Sequence, residues 1–185
     1  MSGHSGEPLF RGRIVSVTVE AVRLPNGHRA ELEIVRHPGG AAAVALDTHG
    51  RVCLLRQFRY AAGGWLWELP AGKIEPGEPA FSTAKRELGE EAGATAGEWR
   101  DLGRLHSSPG VFTEVIHLFL ARQLRHMGHE HDADEVIEVH WVPLDQALDW
   151  CLTGQITDAK TLIGLSRAAA FRDDPERFAL LERSG

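Results

Sequence analysis

The chain is dominated by segments in which apolar and polar residues alternate, the pattern of a strand with one buried face. These segments predict strands at 10–24, 30–36, 41–46, 51–58, 66–69, 99–106, 115–122 and 135–142. The segment 41–46 is nearly all apolar, which is typical of a strand buried on both faces. Turn residues at 25–27 (Pro-Asn-Gly) and 47–50 (Asp-Thr-His-Gly) separate strands that are expected to pair.

The segment between Pro79 and Gly93 predicts a short and strongly acidic helix. Pro79 suits the first helical position, where a missing N–H costs nothing, and Gly93 suits the left-handed conformation just past a helix end. Glu87, Glu90 and Glu91 have the spacing i, i+3 and i+4, so their carboxylates share one face. Like charges at this spacing destabilise a helix by roughly 0.2–0.5 kcal/mol per pair, so stability does not explain the cluster.

Two further helices are predicted near the end of the chain. One spans 144–152 and is ended by Gly154. The other is capped by Thr157 or Asp158 and runs to about Phe171. Strands followed by one helix, further strands and closing helices predict an α/β fold, with a mixed sheet and at least one helix packed on each side.

Carboxylates grouped on one helix face are typical of a site for a hard divalent cation. Magnesium prefers oxygen ligands, keeps several waters and commonly bridges carboxylates to substrate phosphates. The alternative interpretation of an isolated Glu-x-x-Glu-Glu run is a solvated acidic surface. The residues around the run decide between the two.

Composition narrows the classes of function. The chain has 185 residues, enough for one domain with its own core, and a formal net charge of −6 without a basic run, which argues against a nucleic-acid partner. No apolar run approaches the length of a membrane span, and the N-terminus lacks the apolar region of a signal peptide. Cys53 and Cys151 are expected to be reduced thiols, which favours a cytoplasmic location.

The spacing around the acidic helix resembles the Nudix hydrolase signature, G-x5-E-x7-R-E-U-x-E-E-x-G-U, in which U is a bulky apolar residue. The positions that fall on this pattern in register are Gly72, Glu78, Arg86, Glu87, Leu88, Glu90, Glu91 and Gly93. Ala94 is smaller than the aliphatic residue usual at the last position, which affects packing after the helix rather than chemistry.

This resemblance implies a role for each polar member of the signature. Glu87 and Glu91 are the first candidates for Mg²⁺ ligands, with Glu90 next and the backbone carbonyl of Ala71 completing the set; Mn²⁺ is the alternative metal. The members with a structural role are Gly72, Glu78, Arg86 and Gly93. Arg86 is expected to orient the glutamates through charge-assisted hydrogen bonds.

Stretches outside the signature resemble the ADP-ribose pyrophosphatase branch of that family. They are Arg-Gln-Phe-Arg-Tyr at 56–60, Trp-Leu-Trp-Glu-Leu-Pro-Ala-Gly-Lys at 65–73, and Pro109 in a loop after the signature. The likeness extends from about residue 10 to residue 171, nearly the whole chain.

The resemblance implies a Nudix-type α/β/α sandwich with a mixed sheet, plus an N-terminal antiparallel β arm. We expect a disordered tail at 1–9, the arm at 10–38, the catalytic domain at 39–175 and a C-terminal tail at 176–185. In ADP-ribose pyrophosphatases a similar arm forms a small sheet used for dimerisation, so a homodimer is expected.

The activity implied is metal-dependent hydrolysis of the pyrophosphate bond in a nucleoside diphosphate linked to another group. ADP-ribose is the leading substrate, and its products are AMP and ribose 5-phosphate. By resemblance, Glu135 is the general base, with Asp134 or a helix glutamate as rivals. Arg59 and Glu114 are candidates for holding the diphosphate and the terminal ribose, although an arginine such as Arg59 is on base rates a surface ion-pair partner.

Three alternatives stay open. GDP-mannose or another nucleotide sugar, or an oxidised nucleoside triphosphate, is poorly separated from ADP-ribose because base and sugar contacts come from loops. A module that binds ADP-ribose without turnover normally has a degraded signature. A zinc site at His126, His129 and His131 is disfavoured because their spacing matches no closed site; a polar loop at 125–134 is the preferred interpretation.

Overall fold

The computed structural model describes residues 7–126 and 137–183. Its strands and helices, in chain order, are β1 (Phe10–Arg11), β2 (Ser16–Arg23), β3 (Arg29–Arg36), β4 (Gly40–Ala45), β5 (Arg51–Arg59), β6 (Gly64–Glu68), β7 (Ala71–Lys73), α1 (Ala80–Ala92), β8 (Ala94–His106), β9 (Val115–His126), β10 (Ile137–Pro143), α2 (Leu144–Thr153), α3 (Ala159–Asp173) and β11 (Leu180–Arg183). Single 3₁₀ turns lie at Tyr60–Ala62 and Pro175–Arg177.

The strands form three sheets. The largest has the order β11-β8-β9-β4-β7, and in it β4 runs parallel to β9 while the other pairs are antiparallel. A second sheet has the order β10-β5-β6, and β1-β2-β3 form a separate antiparallel sheet at the N-terminus. The predicted α/β fold with a mixed sheet and an N-terminal antiparallel arm is confirmed.

Strand β4 is buried on both faces, as its apolar sequence predicts. Successive side chains of a strand point to opposite sides, and here each side meets a different helix. Ala43 belongs to the same buried cluster as Leu88 of α1. Val44 belongs to the second cluster, with Leu165 of α3. Helices therefore cover both sides of the central sheet, which is the expected sandwich.

The ends of α1 differ slightly from the prediction. Pro79 is the residue before the helix, with extended backbone angles (φ −67°, ψ 141°), rather than the first helical residue. Gly93 has the predicted left-handed conformation, with φ of 58°, and donates its N–H to the carbonyl of Gly89. A glycine tolerates this conformation without steric cost, so the helix ends there.

Several predictions need correction. The strand predicted at 99–106 begins at Ala94, and the predicted C-terminal tail at 176–185 contains β11, which forms because it pairs with β8. The single strand at 10–24 is two strands, because Gly12 donates its N–H to the carbonyl of Val15 across a tight turn. The segment at 71–73, which lies in none of the predicted strands, forms β7 because it pairs with the edge of β4. The strand predicted at 115–122 continues to His126, whose register partner is Ala94 of β8, so residues 125 and 126 of the predicted loop lie in β9.

The N-terminal arm is joined to the rest of the molecule through β3. Val35 donates its N–H to Val111 and accepts from the N–H of Thr113, so the loop before β9 lies against this strand. Residues 1–6, which are part of the predicted tail, lie outside the described residues.

Both cysteines are free thiols. Burial, assisted by the negative charge of Glu91, raises the pKa of Cys53 to about 12, so this thiol stays neutral. Within residues 7–126 and 137–183, every helix is too short or too polar to cross a membrane.

Candidate active site

A cavity of about 500 Å³ collects residues from elements far apart in the sequence. Strands β4, β5 and β7, helix α1, the loop before β9 and the start of α3 all contribute to its walls, and Ile14 reaches it from the arm. Its charged lining residues are Arg59, Lys73, Glu87, Glu91, Glu114, Asp158 and Lys160. Cavities of this size bind small molecules in many proteins.

Glu87 lies in the cavity wall because β7 provides a glycine opposite it. A Cβ atom on Gly72 would lie 1.8 Å from Oε1 of Glu87 and 2.1 Å from its carboxylate carbon. Only a residue without a side chain leaves this space for the carboxylate. The glycine of the sequence signature therefore has a direct steric reason.

Glu91 is held by the backbone of the same strand. It is 3% exposed, and it accepts the N–H of Ala71 at 2.7 Å. Ala43 of β4 bonds to the carbonyl of Pro70, so Ala71 occupies the next position, where the N–H and C=O groups both point away from β4. The carbonyl of Ala71 is consequently on the side of the strand that faces Glu91.

Arg86 connects three carboxylates of the signature. Its guanidinium lies 3.2 Å from Glu78, and Nη1 lies 2.7 Å from both Glu87 and Glu90. The hydrogen bond from Arg86 is the main reason that the pKa of Glu78 is lowered to about 2, and the hydrogen bond to Glu78 in turn raises the pKa of Arg86. Arg86 thus holds Glu87 in place, and these contacts support its predicted role of orienting the glutamates.

The three helix glutamates are not equivalent. Glu87 and Glu91 line the cavity, whereas the side chain of Glu90 is 55% exposed and is not among the lining residues. Of the other signature residues, only Gly72 lines the cavity. Ala71, which precedes the signature, lines it as well. The acidic face therefore divides into two inward carboxylates and one outward carboxylate that is paired with Arg86.

On another part of the wall, Arg59 and Lys160 share one buried carboxylate. Arg59 donates from Nε and Nη2 to the two oxygens of Glu68, at 2.8 and 2.9 Å. Nζ of Lys160 lies 2.5 Å from Oε2 of Glu68 and 3.1 Å from Asp158. The hydrogen bond with Glu68 is the leading cause of a raised pKa for Arg59, so both the position and the charge of this guanidinium are fixed.

The same group makes the stability of the protein sensitive to acid. Burial alone would raise the pKa of Glu68, but hydrogen bonds from Arg59 and the charge of Lys160 outweigh it and lower the pKa from 4.5 to about 2. A carboxylate with a depressed folded-state pKa contributes stability above its unfolded pKa and loses that contribution as the pH falls through the folded value. We expect the free energy of unfolding to fall between about pH 4.5 and pH 2.

Urea unfolding at several pH values measures this effect. Over that window the wild type should lose stability more steeply than Glu68→Gln, because the amide binds no proton there. Equal slopes for the two proteins would contradict the assignment of this acid sensitivity to Glu68.

Glu114 also lies in the cavity wall. Its Oε1 is 3.3 Å from Nδ1 of His37, which follows β3. The ring of His37 in turn packs at 5.2 Å from Phe112, in the same loop as Glu114. The two sequence-predicted substrate residues, Arg59 and Glu114, therefore both contribute to the cavity.

Several lining residues were not predicted from sequence. Lys160 carried no pattern, and Lys73 appeared only as the last residue of the stretch 65–73, without an assigned role. Asp158 was identified only as a helix cap, a role that its bond to the N–H of Thr161 confirms. The segment Thr-Asp-Ala-Lys-Thr at 157–161 was the only available signal, since it places charged residues at a predicted helix start.

Some predicted residues lie outside the described part of the chain. Glu135 and Asp134, the candidates for the general base, are in 127–136, as are His129 and His131. His126 is described, and its ring packs edge-on at 5.3 Å from Trp141.

The donor set of the cavity fits a hard divalent cation. Among the residues that the structure describes, no three His, Cys, Asp or Glu side chains converge into a ready-made metal site. Magnesium does not need such a cage, since it is usually bound by one or two carboxylates together with waters and substrate phosphates. Glu87, Glu91 and the carbonyl of Ala71 provide oxygen donors of that kind.

Comparison with known protein families and sequences gives concordant matches. The NUDIX domain family matches residues 36–162. An ADP-ribose pyrophosphatase of Bacillus subtilis (strain 168) is 40% identical over 157 residues, which cover 84% of this chain and 85% of that protein. An ADP-ribose pyrophosphatase of Mycobacterium tuberculosis (strain ATCC 25618 / H37Rv) is 37% identical over 166 residues, covering 87% and 79% of the two chains. A methanol dehydrogenase activator of Bacillus methanolicus is 37% identical over 161 residues, covering 86% and 87%.

A solved structure shows the same architecture. The crystal structure of an ADP compounds hydrolase superposes with a TM-score of 0.79, covering 95% of this chain and 96% of that chain. The sequence identity is 22%, so this likeness concerns the fold.

Proposed function

Because the chain belongs to the NUDIX domain family, we propose that this Nudix hydrolase cleaves the pyrophosphate bond of ADP-ribose into AMP and ribose 5-phosphate. The observation that carries the proposal is a single cavity in which Glu87 and Glu91 of the signature share the walls with Arg59 and Lys160. Carboxylates for a cation and fixed cationic donors are the two groups that a diphosphate requires. Relatives named ADP-ribose pyrophosphatase at 37% and 40% identity support ADP-ribose over other nucleoside diphosphates.

We propose Mg²⁺ as the metal, with Mn²⁺ as a substitute. Glu87 and Glu91 would hold it with the carbonyl of Ala71, and Glu90 is the fourth candidate ligand, which must turn inward from its bond to Arg86. When bound, such a cation supplies neutralisation of the diphosphate charge and lowers the pKa of an attacking water. Arg86 would keep the carboxylate of Glu87 aimed into the cavity while the substrate binds.

The general base is proposed to be Glu135, on the family resemblance, with Asp134 and the helix glutamates as rivals. Such a base typically contributes about 10²–10⁴-fold to the rate. Comparison of kcat for Glu135→Gln and Asp134→Asn decides between the first two.

Arg59 and Glu114 are proposed to contact the substrate, since both line the cavity. Arg59 fits the diphosphate because guanidinium groups bind phosphate oxygens through charge-assisted hydrogen bonds. Glu114 fits the hydroxyl groups of the terminal ribose because a carboxylate only accepts hydrogen bonds. Alanine at either position with an unchanged KM for ADP-ribose would count against that residue.

Hydrolysis of ADP-ribose tests the proposed reaction. With Mg²⁺, we expect AMP and ribose 5-phosphate in equal amounts, and no activity after dialysis against EDTA until Mg²⁺ or Mn²⁺ is added back. The reason is that the two inward carboxylates repel a diphosphate unless a cation lies between them. Full activity in EDTA would overturn the metal requirement, and other products would overturn the bond assigned.

We also propose that two chains associate through the N-terminal arm. Leu9, Phe10 and Ile14 are 74%, 56% and 56% exposed, an apolar surface that a partner chain would cover. Light scattering should give a dimer mass for the full chain and a monomer mass for a chain without residues 1–36. A monomeric full chain would contradict this proposal.

A further inference from the structure

Glu68, the last residue of β6, is a buried carboxylate shared by two cations of the active-site cavity. It is 2% exposed. Arg59 donates hydrogen bonds to both oxygens of Glu68, and Nζ of Lys160 lies 2.5 Å from one of them. Arg59 and Lys160 line the cavity, whereas Glu68 is not among the lining residues and lies behind them.

The position of this carboxylate is also fixed from the α3 side. Lys160 makes a second ion pair, with Asp158 at 3.1 Å. Asp158 accepts hydrogen bonds from the backbone and the hydroxyl of Thr161. The hydroxyl of Thr161 accepts the N–H of Leu69, the residue after Glu68. One continuous network therefore joins the end of β6 to the start of α3.

Both cations that bond to Glu68 also belong to the cavity wall. The bonds from Arg59 to Glu68 use two of the five N–H donors of the guanidinium, so the other three are not committed to this carboxylate. Arg59 and Lys160 both bond to the carboxylate of Glu68, and both residues line the cavity. Side chains fixed in advance bind a ligand more tightly because less conformational entropy is lost on binding.

We propose that Glu68 is a positioning residue that holds Arg59 and Lys160 as a fixed pair of cationic donors for the phosphate groups of the substrate. The inference rests on the proposed hydrolysis of a phosphate-linked nucleotide and deepens it, because it names the groups that hold the diphosphate apart from the metal-binding carboxylates. Lys160 thereby becomes a substrate-binding residue, and Glu68 acts only through its two partners.

Substitution Glu68→Gln tests the role. The amide keeps the shape of the side chain but turns one acceptor into a donor, which faces Arg59 or Lys160 and breaks that contact. We expect KM for ADP-ribose to rise by about tenfold or more, the scale of losing a charged hydrogen bond, with a smaller change in kcat. Competitive inhibition by AMP should weaken by a similar factor, whereas inhibition by adenosine, which has no phosphate, should not change.

The matched control is Glu98→Gln. Glu98 is equally buried, at 2% exposed, and pairs with Arg100 at 3.1 Å, but it lies on β8 and outside the cavity lining. The same change there should lower thermal stability and leave KM and AMP inhibition unchanged. If Glu98→Gln weakens inhibition by AMP as much as Glu68→Gln does, the weaker inhibition reflects a general loss of stability and the inference fails.

A second variant keeps the test decisive if Glu68→Gln does not fold. Lys160→Met retains both bonds between Arg59 and Glu68. It should also weaken inhibition by AMP and leave inhibition by adenosine unchanged. In an Arg59→Met, Lys160→Met background, Glu68→Gln should add less than about twofold, because a positioning residue has no effect without the groups it positions. If Glu68→Gln weakens AMP inhibition in this double-variant background as much as it does in the wild type, the positioning role of Glu68 is wrong.

Calorimetry with AMP and adenosine separates this inference from the proposed reaction, since it needs no turnover. If the wild type does not hydrolyse ADP-ribose but Glu68→Gln lowers the affinity for AMP and leaves the affinity for adenosine unchanged, the proposed reaction is wrong and the positioning role stands. If the wild type binds AMP no better than adenosine, or if Glu68→Gln weakens both ligands equally, the positioning role is wrong.

Discussion

Glu87→Gln is expected to lower kcat for ADP-ribose by about 10³-fold or more, the effect of losing several kcal/mol of metal-assisted stabilisation. Glu87 and Glu91 are the two helix carboxylates that line the cavity, so the variant removes one of the two helix charges that are proposed to hold a cation. The fold should remain intact. Without metal the variant should be as stable as the wild type or slightly more stable, because one repelling charge has left the acidic face.

Steady-state kinetics and thermal unfolding, each with and without Mg²⁺, measure both effects. The control is Glu182→Gln. Glu182 lies on β11, outside the cavity lining, and pairs with Lys85 of α1, the helix that carries Glu87. Its kcat should stay within about twofold of the wild type, as is usual for a surface pair. Activity near wild type in Glu87→Gln would show that this carboxylate does not bind the metal.

The second large effect is expected at a residue with no side chain. Gly72→Ala places a Cβ 1.8 Å from Oε1 of Glu87, so the carboxylate must leave its position. The displaced group is the end of a flexible side chain, so the fold should survive at small cost. A misplacement of about 1 Å in an active site can cost about 10²-fold, and we expect kcat to fall by at least that factor.

Gly89→Ala is the matched control for this prediction. It makes the same chemical change within α1, and its new Cβ would meet no atom within 4 Å outside the local helix backbone. It should retain activity and gain up to about 1 kcal/mol of stability from better helix propensity. If Gly72→Ala is as active as Gly89→Ala, the steric explanation of the signature glycine is wrong.

The features that the sequence predicted well depend on local pattern. The apolar run in β4 predicted a strand covered on both faces, and the ending of α1 followed from Gly93. Helical spacing placed Glu87, Glu90 and Glu91 on one face, and the resemblance to the Nudix signature named Glu87 and Glu91 as the first candidate ligands; these two line the cavity.

The features that were missed depend on contacts between distant parts of the chain. Glu68 and Lys160 are 92 positions apart, so no local pattern relates them. Strand β7 has only three residues and exists because the edge of β4 accepts it. The outward position of Glu90 also could not be read from its spacing, since the rotation of α1 against the sheet decides which glutamates enter the cavity.

The central claim is tested most directly by kcat/KM for a panel of substrates with Mg²⁺: ADP-ribose, GDP-mannose, UDP-glucose and an oxidised dGTP. The account predicts that ADP-ribose leads the panel and yields AMP and ribose 5-phosphate. A higher kcat/KM for one of the others would contradict the substrate while preserving the chemistry. Binding of ADP-ribose without turnover of any compound would contradict the account itself, because the protein would then be a sensor with an intact signature.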